Sequence, residues 1–446
     1  MALLLFLAAA GVLLIAGFGA AAPALSGRER VSLGEVAALS VLLGVLFVTL
    51  AGWGLSMLLP GRAAVWLVTL LALLLGGGGV ASWSRRRPRI EGVALFCCLV
   101  LPLAAALAGL AATTRFDWDG LFVWEMKAEA IATAGGPPWD YLHDGSRLWS
   151  HPVYPLLVPF FRAWFYQWNG GVHEAYANAA GALFVLAASG LLLSLSRQLG
   201  RATALLSLAF FLLTPLAILG SGSATSGYAD FPLAVYYLGA LVYVFHAVGS
   251  PRPGDLAIAG WLAAALPWIK QEGMILWACL IALAFLALGR PGWRGLLSLA
   301  APGAGVLLAW QVFVATVRVE TASAFYPVSL GLLRDRLHLW NEIGGAMVKL
   351  ALAPGDWGLL WGLFPVAAIF GLWAHRSRRS LLLVGAVIAP LPFFGLLYFF
   401  TKWEPVTLHV ESSFSRLLLP LSFPAIVLIA WMTALLVFQT SREPES

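Results

Sequence analysis

Charged residues are scarce in this chain of 446 residues: only 11% are Asp, Glu, Lys or Arg, whereas 61% are hydrophobic. A soluble domain usually carries about 25% charged residues. The composition therefore excludes a soluble enzyme, a disordered protein and a secreted disulfide scaffold. The hydrophobic residues form runs of about 20, the length that a helix needs to cross a bilayer core of about 30 Å. The sequence predicts an all-α polytopic membrane protein.

Cysteine is also scarce. The three cysteines, Cys97, Cys98 and Cys279, all lie inside apolar runs. Neighbouring residues of a helix point to different sides, so the sequence indicates neither a disulfide nor a metal cage. We expect all three to be small, buried apolar side chains.

The apolar runs predict about 13 transmembrane helices, each near the length that a bilayer requires. They lie near residues 2–25, 33–59, 63–83, 90–112, 172–196, 202–220, 228–248, 255–269, 273–289, 295–317, 358–374, 380–400 and 417–439. The division between the eighth and ninth spans is placed at Lys270–Glu272, because charged residues avoid the bilayer centre unless they line a protected cavity.

Arginines occupy every second loop between these spans. Loops rich in Lys and Arg face the cytoplasm, so we expect the N-terminus outside, the C-terminus at Ser446 in the cytoplasm, and the chain in a bacterial inner membrane. The polar segments 113–171, 318–357 and 401–416 then lie on the outer face. This pattern also explains the net charge of +6 without nucleic acid as a partner. No basic segment precedes residues 2–25, which favours a retained helix over a cleaved signal peptide.

The first outer loop contains two acidic residues, Asp117 and Asp119, on either side of Trp118. A short helix is predicted from Asp119, so a helix cap is one explanation for its carboxylate. The alternative is a general base, because a carboxylate partly desolvated at the membrane surface accepts a proton more readily.

Other side chains of this loop are candidates for substrate binding: Trp124, Lys127, His151 and Tyr154. Tryptophan and tyrosine are common at membrane interfaces, although several aromatic side chains in one loop also suit the stacking of a sugar ring. His151 could act as a metal ligand, a base or a solvated loop residue.

Two shorter outer segments contain further candidates. The Gly- and Ser-rich stretch 220–227 leads into Tyr228 and Asp230 at the start of a helix, which suits an anion cradle. It has no Walker lysine and no preceding strand, so it is not a nucleotide motif. Lys270 could hold a phosphate or snorkel to the interface. Lys270 and Glu272 are too close in sequence to share a helix face, so a simple salt bridge along one helix is not expected.

The remaining outer candidates are His409 and Arg416, which precede the last span. Arg416 could bind a phosphate bidentately or anchor the helix end. In segment 318–357, apolar residues recur at spacings of three and four from Leu330 to Ala351. This spacing predicts an amphipathic helix in the membrane interface. We therefore expect interfacial helices in both large outer loops.

Four of these segments, in this order, resemble the bacterial GT-C class of membrane glycosyltransferases. They are Trp118-Asp119 through Lys127, His151-Pro152-Val153-Tyr154-Pro155, Gly227 through Leu233 together with Lys270-Gln271-Glu272-Gly273, and His409 through Arg416. The resemblance spans about residues 90–435 and includes the mannosyltransferase and aminoarabinose transferase-like group. It implies a three-helix N-terminal extension, residues 1–89, followed by a GT-C-like catalytic module, residues 90–440.

The resemblance also implies a function. Such enzymes transfer a sugar from a polyprenyl-phosphate donor to a lipid, glycan or protein acceptor outside the cytoplasm, with inversion, and a carboxylate of the first outer loop is the base. That role is transferred to Asp119, with Asp117 as the rival because this chain has Asp-Trp-Asp where the family often has adjacent acids. Asp230 and Glu272 would organise the acceptor or a divalent ion, and Lys270 and Arg416 would receive the phosphate.

This prediction requires no cofactor. Carboxylates and His151 could bind a divalent metal ion, but the sequence shows no spacing of ligands that is typical of a metal site. The alternatives are a transporter or lipid flippase, or an O-antigen ligase-like protein of envelope polysaccharide assembly. A transporter would have polar groups along the bilayer midplane and often a repeat, whereas only Glu35 lies plainly within a predicted span. A ligase would depend on outer arginine and histidine residues.

Overall fold

Helices make up most of the chain in this computed structural model, which describes residues 1–59, 61–114, 116–249, 252, 254–289, 293–319 and 323–438. In chain order they are α1 (Ala2–Leu25), α2 (Leu33–Ser56), α3 (Arg62–Arg86), α4 (Val93–Leu95), α5 (Leu101–Thr113), α6 (Met126–Ala134), α7 (Trp139–Leu142), α8 (Leu157–Asn169), α9 (Glu174–Ala179), α10 (Ala182–Ser194), α11 (Ser196–Leu199), α12 (Arg201–Leu212), α13 (Pro215–Ile218), α14 (Asp230–Gly249), α15 (Asp255–Ile269), α16 (Glu272–Leu288), α17 (Trp293–Val317), α18 (Leu330–Arg336), α19 (Trp340–Ala351), α20 (Pro354–Trp357), α21 (Leu360–Phe370), α22 (Arg378–Ile388), α23 (Leu391–Tyr398) and α24 (Val406–Phe438).

Shorter elements join these helices. Three π-helical segments, Phe96–Val100, Gly120–Glu125 and Gly371–His375, continue α-helices, and Gly145–Ser150 and Leu337–Leu339 are 3-10 turns. Two three-residue strands, β1 (Arg30–Ser32) and β2 (Arg89–Glu91), pair in parallel.

Within the described ranges, nine helical segments are long and apolar enough to cross a membrane, as judged by length and composition. They are Ala2–Leu25, Leu33–Ser56, Arg62–Arg86, Val93–Thr113, Glu174–Leu199, Asp230–Val248, Trp293–Val317, Arg378–Tyr398 and Val406–Val437. The other four predicted spans coincide with shorter apolar helices: Arg201–Leu212, Asp255–Ile269, Glu272–Leu288 and Leu360–His375. These helices agree with the prediction of an all-α polytopic membrane protein.

Connecting segments contact one another at two ends of the helical bundle. At one end, β1 pairs with β2, Arg28 bonds to Asp255, and Arg379 donates to Gln198. At the other end, the segment after α5 contacts the segment before α14, since Ser221 donates to Asp117. Loops that were assigned to the same side of the membrane therefore lie together.

The run Gly76–Gly79 allows close helix packing on one face of α3. A Cβ on Gly79 would lie only 2.6 Å from the Cα of Gly19 in α1, and Gly76 meets Ile15 of the same helix. Gly77 and Gly78 face open space. Two of the four glycines thus permit the approach of α1 to α3.

The first three helices pack directly on the rest of the chain. A Cβ on Gly34 would lie 2.9 Å from the carbonyl oxygen of Gly190, so α2 and α10 touch through their backbones. Arg28 bridges Glu35 at 2.5 Å and Asp255 at 2.6 Å. Glu35 also accepts a bond of 2.8 Å from the hydroxyl of Tyr243. The residue that was noted as an isolated charge within a span is therefore paired at a helix end.

Some sequence expectations change. Cys97 and Cys98 are exposed on the outside of the bundle, and only Cys279 is buried as expected. The last outer segment is shorter than 401–416, because α24 begins at Val406. The amphipathic segment is helical as predicted, but it is divided between α18 and α19 by a 3-10 turn. The tail that ends at Ser446 lies outside the described residues.

Candidate active site

The two cations and three of the carboxylates singled out in the sequence form one connected set of ion pairs. Arg416 bonds through its guanidinium to Asp119 at 2.5 Å and lies 3.9 Å from Asp230. The Lys270 ammonium lies 2.9 Å from Asp230 and 3.5 Å from Glu272. Residues from four separate parts of the chain therefore meet at the end of the bundle that carries the large polar segments.

Asp119 does not cap the helix that it begins, since its side chain accepts no capping bond there. Its carboxylate turns to Arg416 on α24 instead. Arg416 reaches it along Tyr228, with the guanidinium carbon 4.9 Å from the ring centroid. The Tyr228 hydroxyl in turn accepts a bond of 3.2 Å from the backbone N–H of Asp119. The capping interpretation is wrong, because a charged partner is present in the folded chain.

Lys270 and Glu272 do form an ion pair, contrary to the expectation from their spacing. Lys270 ends α15 in extended backbone, with φ −155° and ψ 157°, and Glu272 begins α16. The helix rule that separates residues i and i+2 does not apply across this break. Burial alone would lower the pKa of Lys270, but the carboxylates of Asp230 and Glu272 outweigh it and raise this pKa.

Two carboxylate oxygens of this set have no hydrogen-bond donor among the described residues. Asp230 is only 1% exposed, yet its Oδ2 and the buried Oε2 of Glu272 accept no bond. Buried oxygens of this kind normally have a partner. Among the described residues, each of these two carboxylates therefore keeps one buried oxygen whose hydrogen-bonding capacity is unused.

The Gly- and Ser-rich segment lies directly beside these charges. A Cβ on Gly222, whose φ is +91°, would lie 3.1 Å from the Cγ of Arg416. Ser221 donates to Asp117 at 2.5 Å, and the Asp117 backbone N–H bonds to the Ser226 carbonyl. The Gly- and Ser-rich segment thus holds residues 117–119 of the first outer loop near α24, and the exposed Asp117 bonds to Ser221 rather than to a cation.

His151 and Tyr154 lie on the border of the site. Their rings stack at 4.7 Å with an interplanar angle of 13°. Burial, and then the charge of Lys127, lower the pKa of His151, while the carboxylates of Asp119 and Glu272 oppose this effect. The charges of Asp119, Lys270 and Glu272 therefore affect the pKa of the His151 imidazole.

Trp124 and Lys127 occupy a different position from the one expected of substrate-binding residues. Both are buried, with exposures of 1% and 0%. The Lys127 ammonium donates to the His151 carbonyl at 2.6 Å, and the Trp124 ring packs on Tyr154 at 5.7 Å. These two side chains support the turn behind the site.

His409 also lies at the border. Its Nδ1 is 2.6 Å from the Thr401 hydroxyl, and its ring stacks on Trp403 at 4.8 Å. One turn further along α24, Ser413 bonds to the Tyr398 hydroxyl at 2.8 Å. These contacts fix the start of α24, from which Arg416 projects.

A further buried ion pair, between Arg162 and Glu125, was not predicted from the sequence. Arg162 bonds to Glu125 at 2.7 Å and to the Gly120 carbonyl at 3.3 Å, and it also bonds to the Gly227 carbonyl. Tyr166 donates to the same Glu125. The sequence does contain a signal for this pair, because Arg162 is a single charge in an otherwise apolar run and such a charge needs a partner when it is buried. This pair joins the first outer loop to the loop before α14.

The described residues contain no group of three or more His, Cys, Asp or Glu side chains placed to hold a metal ion. The carboxylates of the site contact Lys270 and Arg416 instead. The arrangement brings together two cations, Lys270 and Arg416, which can bind an anion. The Asp119 carboxylate is paired with Arg416, and the rings of His151 and Tyr154 lie beside these charges. This arrangement can bind a phosphate and remove a proton from a neighbouring hydroxyl.

Comparison of this chain with protein families, with curated proteins and with solved structures found no match.

Proposed function

We propose that the chain is a membrane glycosyltransferase that transfers a sugar from a polyprenyl-phosphate donor to an acceptor on the outer face of the membrane, with inversion at the sugar. The observation that supports this proposal is the contact of Arg416 with Asp119 and Asp230, and of Lys270 with Asp230 and Glu272. A proton acceptor and two phosphate-binding cations are the groups that such a transfer needs.

In the proposed reaction the acceptor hydroxyl attacks the anomeric carbon from the face opposite the phosphate. The bond between the anomeric carbon and the phosphate oxygen breaks as the new glycosidic bond forms. Asp119 takes the hydroxyl proton, and Lys270 and Arg416 stabilise the negative charge of the departing polyprenyl phosphate. Asp230 and Glu272 would organise the acceptor beside Lys270, with which both carboxylates form ion pairs.

The proposed base, Asp119, is paired with Arg416, one of the two cations proposed to hold the donor phosphate. A donor phosphate competes with Asp119 for the guanidinium, because both are bidentate oxygen ligands. Binding of the donor would therefore release the Asp119 carboxylate toward the acceptor.

The same proposal includes a topology. All thirteen apolar helices cross the inner membrane of a bacterium, the N-terminus lies outside, and the C-terminus lies in the cytoplasm. The donor is then made in the cytoplasm and moved across the membrane as a lipid phosphate, which supplies the leaving group where nucleotide sugars are lacking.

The proposal is tested by transfer assays with the purified full chain in liposomes. Radiolabelled hexose or pentose on polyprenyl phosphate is offered with an envelope lipid and glycan fraction, and product and anomeric configuration are measured. We expect transfer with inversion, and a loss of at least about 100-fold for Asp119→Asn because a general base is removed. Asp140→Asn, an exposed carboxylate change in the same loop, is the matched control and should retain transfer.

A second measurement follows the ion pair. Asp119→Asn should bind polyprenyl phosphate about fivefold more tightly, since a partly exposed pair is worth roughly 1 kcal/mol. Full transfer by a folded Asp119→Asn protein would contradict the assignment of the base. Activity only with pyrophosphate-linked donors would favour the ligase-like alternative, and lipid movement without transfer would favour a flippase.

A further inference from the structure

Lys127 is fully buried, and the part of the chain that the structure describes pairs no carboxylate with it. Its exposure is 0%, and none of the ion pairs among the described residues includes it. The ammonium donates to the His151 carbonyl at 2.6 Å and lies 5.6 Å and 5.7 Å from the ring centroids of Trp124 and Tyr154. One carbonyl and two aromatic faces are thus its surroundings.

This environment is unfavourable for a charge. Burial lowers the pKa of Lys127 to about 7, because no opposite charge compensates for the loss of water. An apolar side chain would fill the space between the two rings without this cost. What only a donor provides is the bond to the His151 carbonyl.

The His151 backbone needs such a partner. Its φ of 51° and ψ of 67° are left-handed, a conformation that costs a residue other than glycine roughly 1–3 kcal/mol unless its surroundings stabilise it. The His151 carbonyl accepts two bonds, one from Lys127 and one of 3.0 Å from the Tyr154 backbone N–H. Lys127 therefore ties the 151–154 turn to α6 at its strained residue.

The turn carries its two rings to the border of the ion-pair set. The charges of Asp119, Lys270 and Glu272 all act on the imidazole of His151. The same three charges, together with Arg416, act on the phenol of Tyr154. Lys127 itself contacts neither the cations nor the carboxylates of the site.

We propose that Lys127 is a positioning residue, which holds the 151–154 turn through the His151 carbonyl so that His151 and Tyr154 border the substrate site. It replaces the expectation that Lys127 binds substrate directly. The effect on transfer rests on the proposed glycosyltransferase function, whereas the effect on the turn does not.

The kinetic test compares two variants of similar size. Lys127→Gln keeps an N–H donor, and Lys127→Met has the same chain length as glutamine but no hydrogen-bond donor. We expect Lys127→Met to lower kcat about 10- to 100-fold, the range for a misplaced site group. The KM for polyprenyl-phosphate sugar should stay within about twofold, because Lys127 is not proposed to contact this substrate. Lys127→Gln should retain more activity than Lys127→Met.

A double-mutant cycle asks whether Lys127 acts through His151. His151→Ala removes the imidazole and keeps the backbone carbonyl. Lys127→Met should then lower kcat much less in the His151→Ala background than in the wild type, because the group that it positions is gone. Equal losses in both backgrounds would overturn the proposal for His151.

Hydrogen exchange of residues 148–156 tests the turn without any substrate. The Tyr154 amide should exchange at least about 10-fold faster in Lys127→Met than in the wild type, because the turn opens more often, and Lys127→Gln should resemble the wild type. Unchanged exchange in Lys127→Met overturns the proposal. If the wild type transfers no sugar from any polyprenyl phosphate, the proposed function fails, and the exchange comparison still decides the role of Lys127.

Discussion

At the scale of single residues, some side chains have tertiary partners that differ from those expected from their neighbours in sequence. Asp119 stands at a helix start, where a carboxylate usually accepts backbone N–H groups. Its partner is instead Arg416, 297 positions later in the chain. A charge-assisted bond to a guanidinium is stronger than a bond to a neutral N–H, so the long-range contact wins over the local one.

The buried Lys127 predicts a dependence of stability on pH. Its pKa falls from 10.5 in a solvated lysine to about 7 in the folded protein. Between these values the unfolded chain binds a proton that the folded chain lacks, so stability rises as the pH increases. The slope is roughly 1.4 kcal/mol per pH unit for one proton.

This slope is measured as the free energy of unfolding in mixed micelles between pH 7 and pH 10. Lys127→Met should lack the rise, whereas Arg87→Met, which changes an exposed cation, should keep it. If the free energy of unfolding depended on pH in the same way in the wild type and in Lys127→Met, the lowered pKa of the buried Lys127 would be contradicted.

At the scale of elements, the pair of Glu125 and Arg162 fixes the loop that carries Asp119. Arg162 on α8 bonds to Glu125 and Gly120 in the π-helical segment before α6, and to Gly227 just before α14. Burial raises the pKa of Glu125, although the Arg162 guanidinium opposes the rise. Three elements meet at one guanidinium close to the candidate site.

Removal of this guanidinium should destabilise the protein strongly. Arg162→Ala leaves Glu125 buried without its cation, which costs roughly 3–5 kcal/mol. Arg147→Ala is the matched control, because its ion pair with Asp144 is 40% and 36% exposed and is worth at most about 1 kcal/mol. The free energy of unfolding in micelles measures both, and equal losses would contradict the importance of the buried pair.

At the scale of the whole molecule, polar groups collect at both ends of an apolar bundle. One end holds Arg28, Glu35 and Asp255, and the other holds the candidate site. Charged groups in a membrane protein favour such positions because the hydrocarbon core cannot solvate them. The proposed topology assigns these two ends to the two surfaces of the membrane.

Labelling of single cysteines tests that topology. Cys97, Cys98 and Cys279 are replaced by alanine, and one cysteine is placed at the exposed Ser146 or at the exposed Arg87. A membrane-impermeant maleimide should label Ser146→Cys in intact cells and Arg87→Cys only after permeabilisation. The reverse pattern would show that the topology is inverted. Labelling of both variants in intact cells would contradict the prediction that their loops lie on opposite sides of the membrane.

The sequence by itself determined the class of the protein and the positions of its apolar helices, because long apolar runs leave a helix as the structure that satisfies its own backbone bonds in a membrane. It also selected Asp119, Asp230, Lys270, Glu272 and Arg416 as candidates from their residue types and flanking spans. Only the tertiary structure decided that these five form one connected set of ion pairs, that Lys127 lies behind the site, and that Arg162 pairs with Glu125. The reason is that these contacts join residues far apart in sequence, and the packing of the helices, which residue spacing does not encode, sets which of them meet.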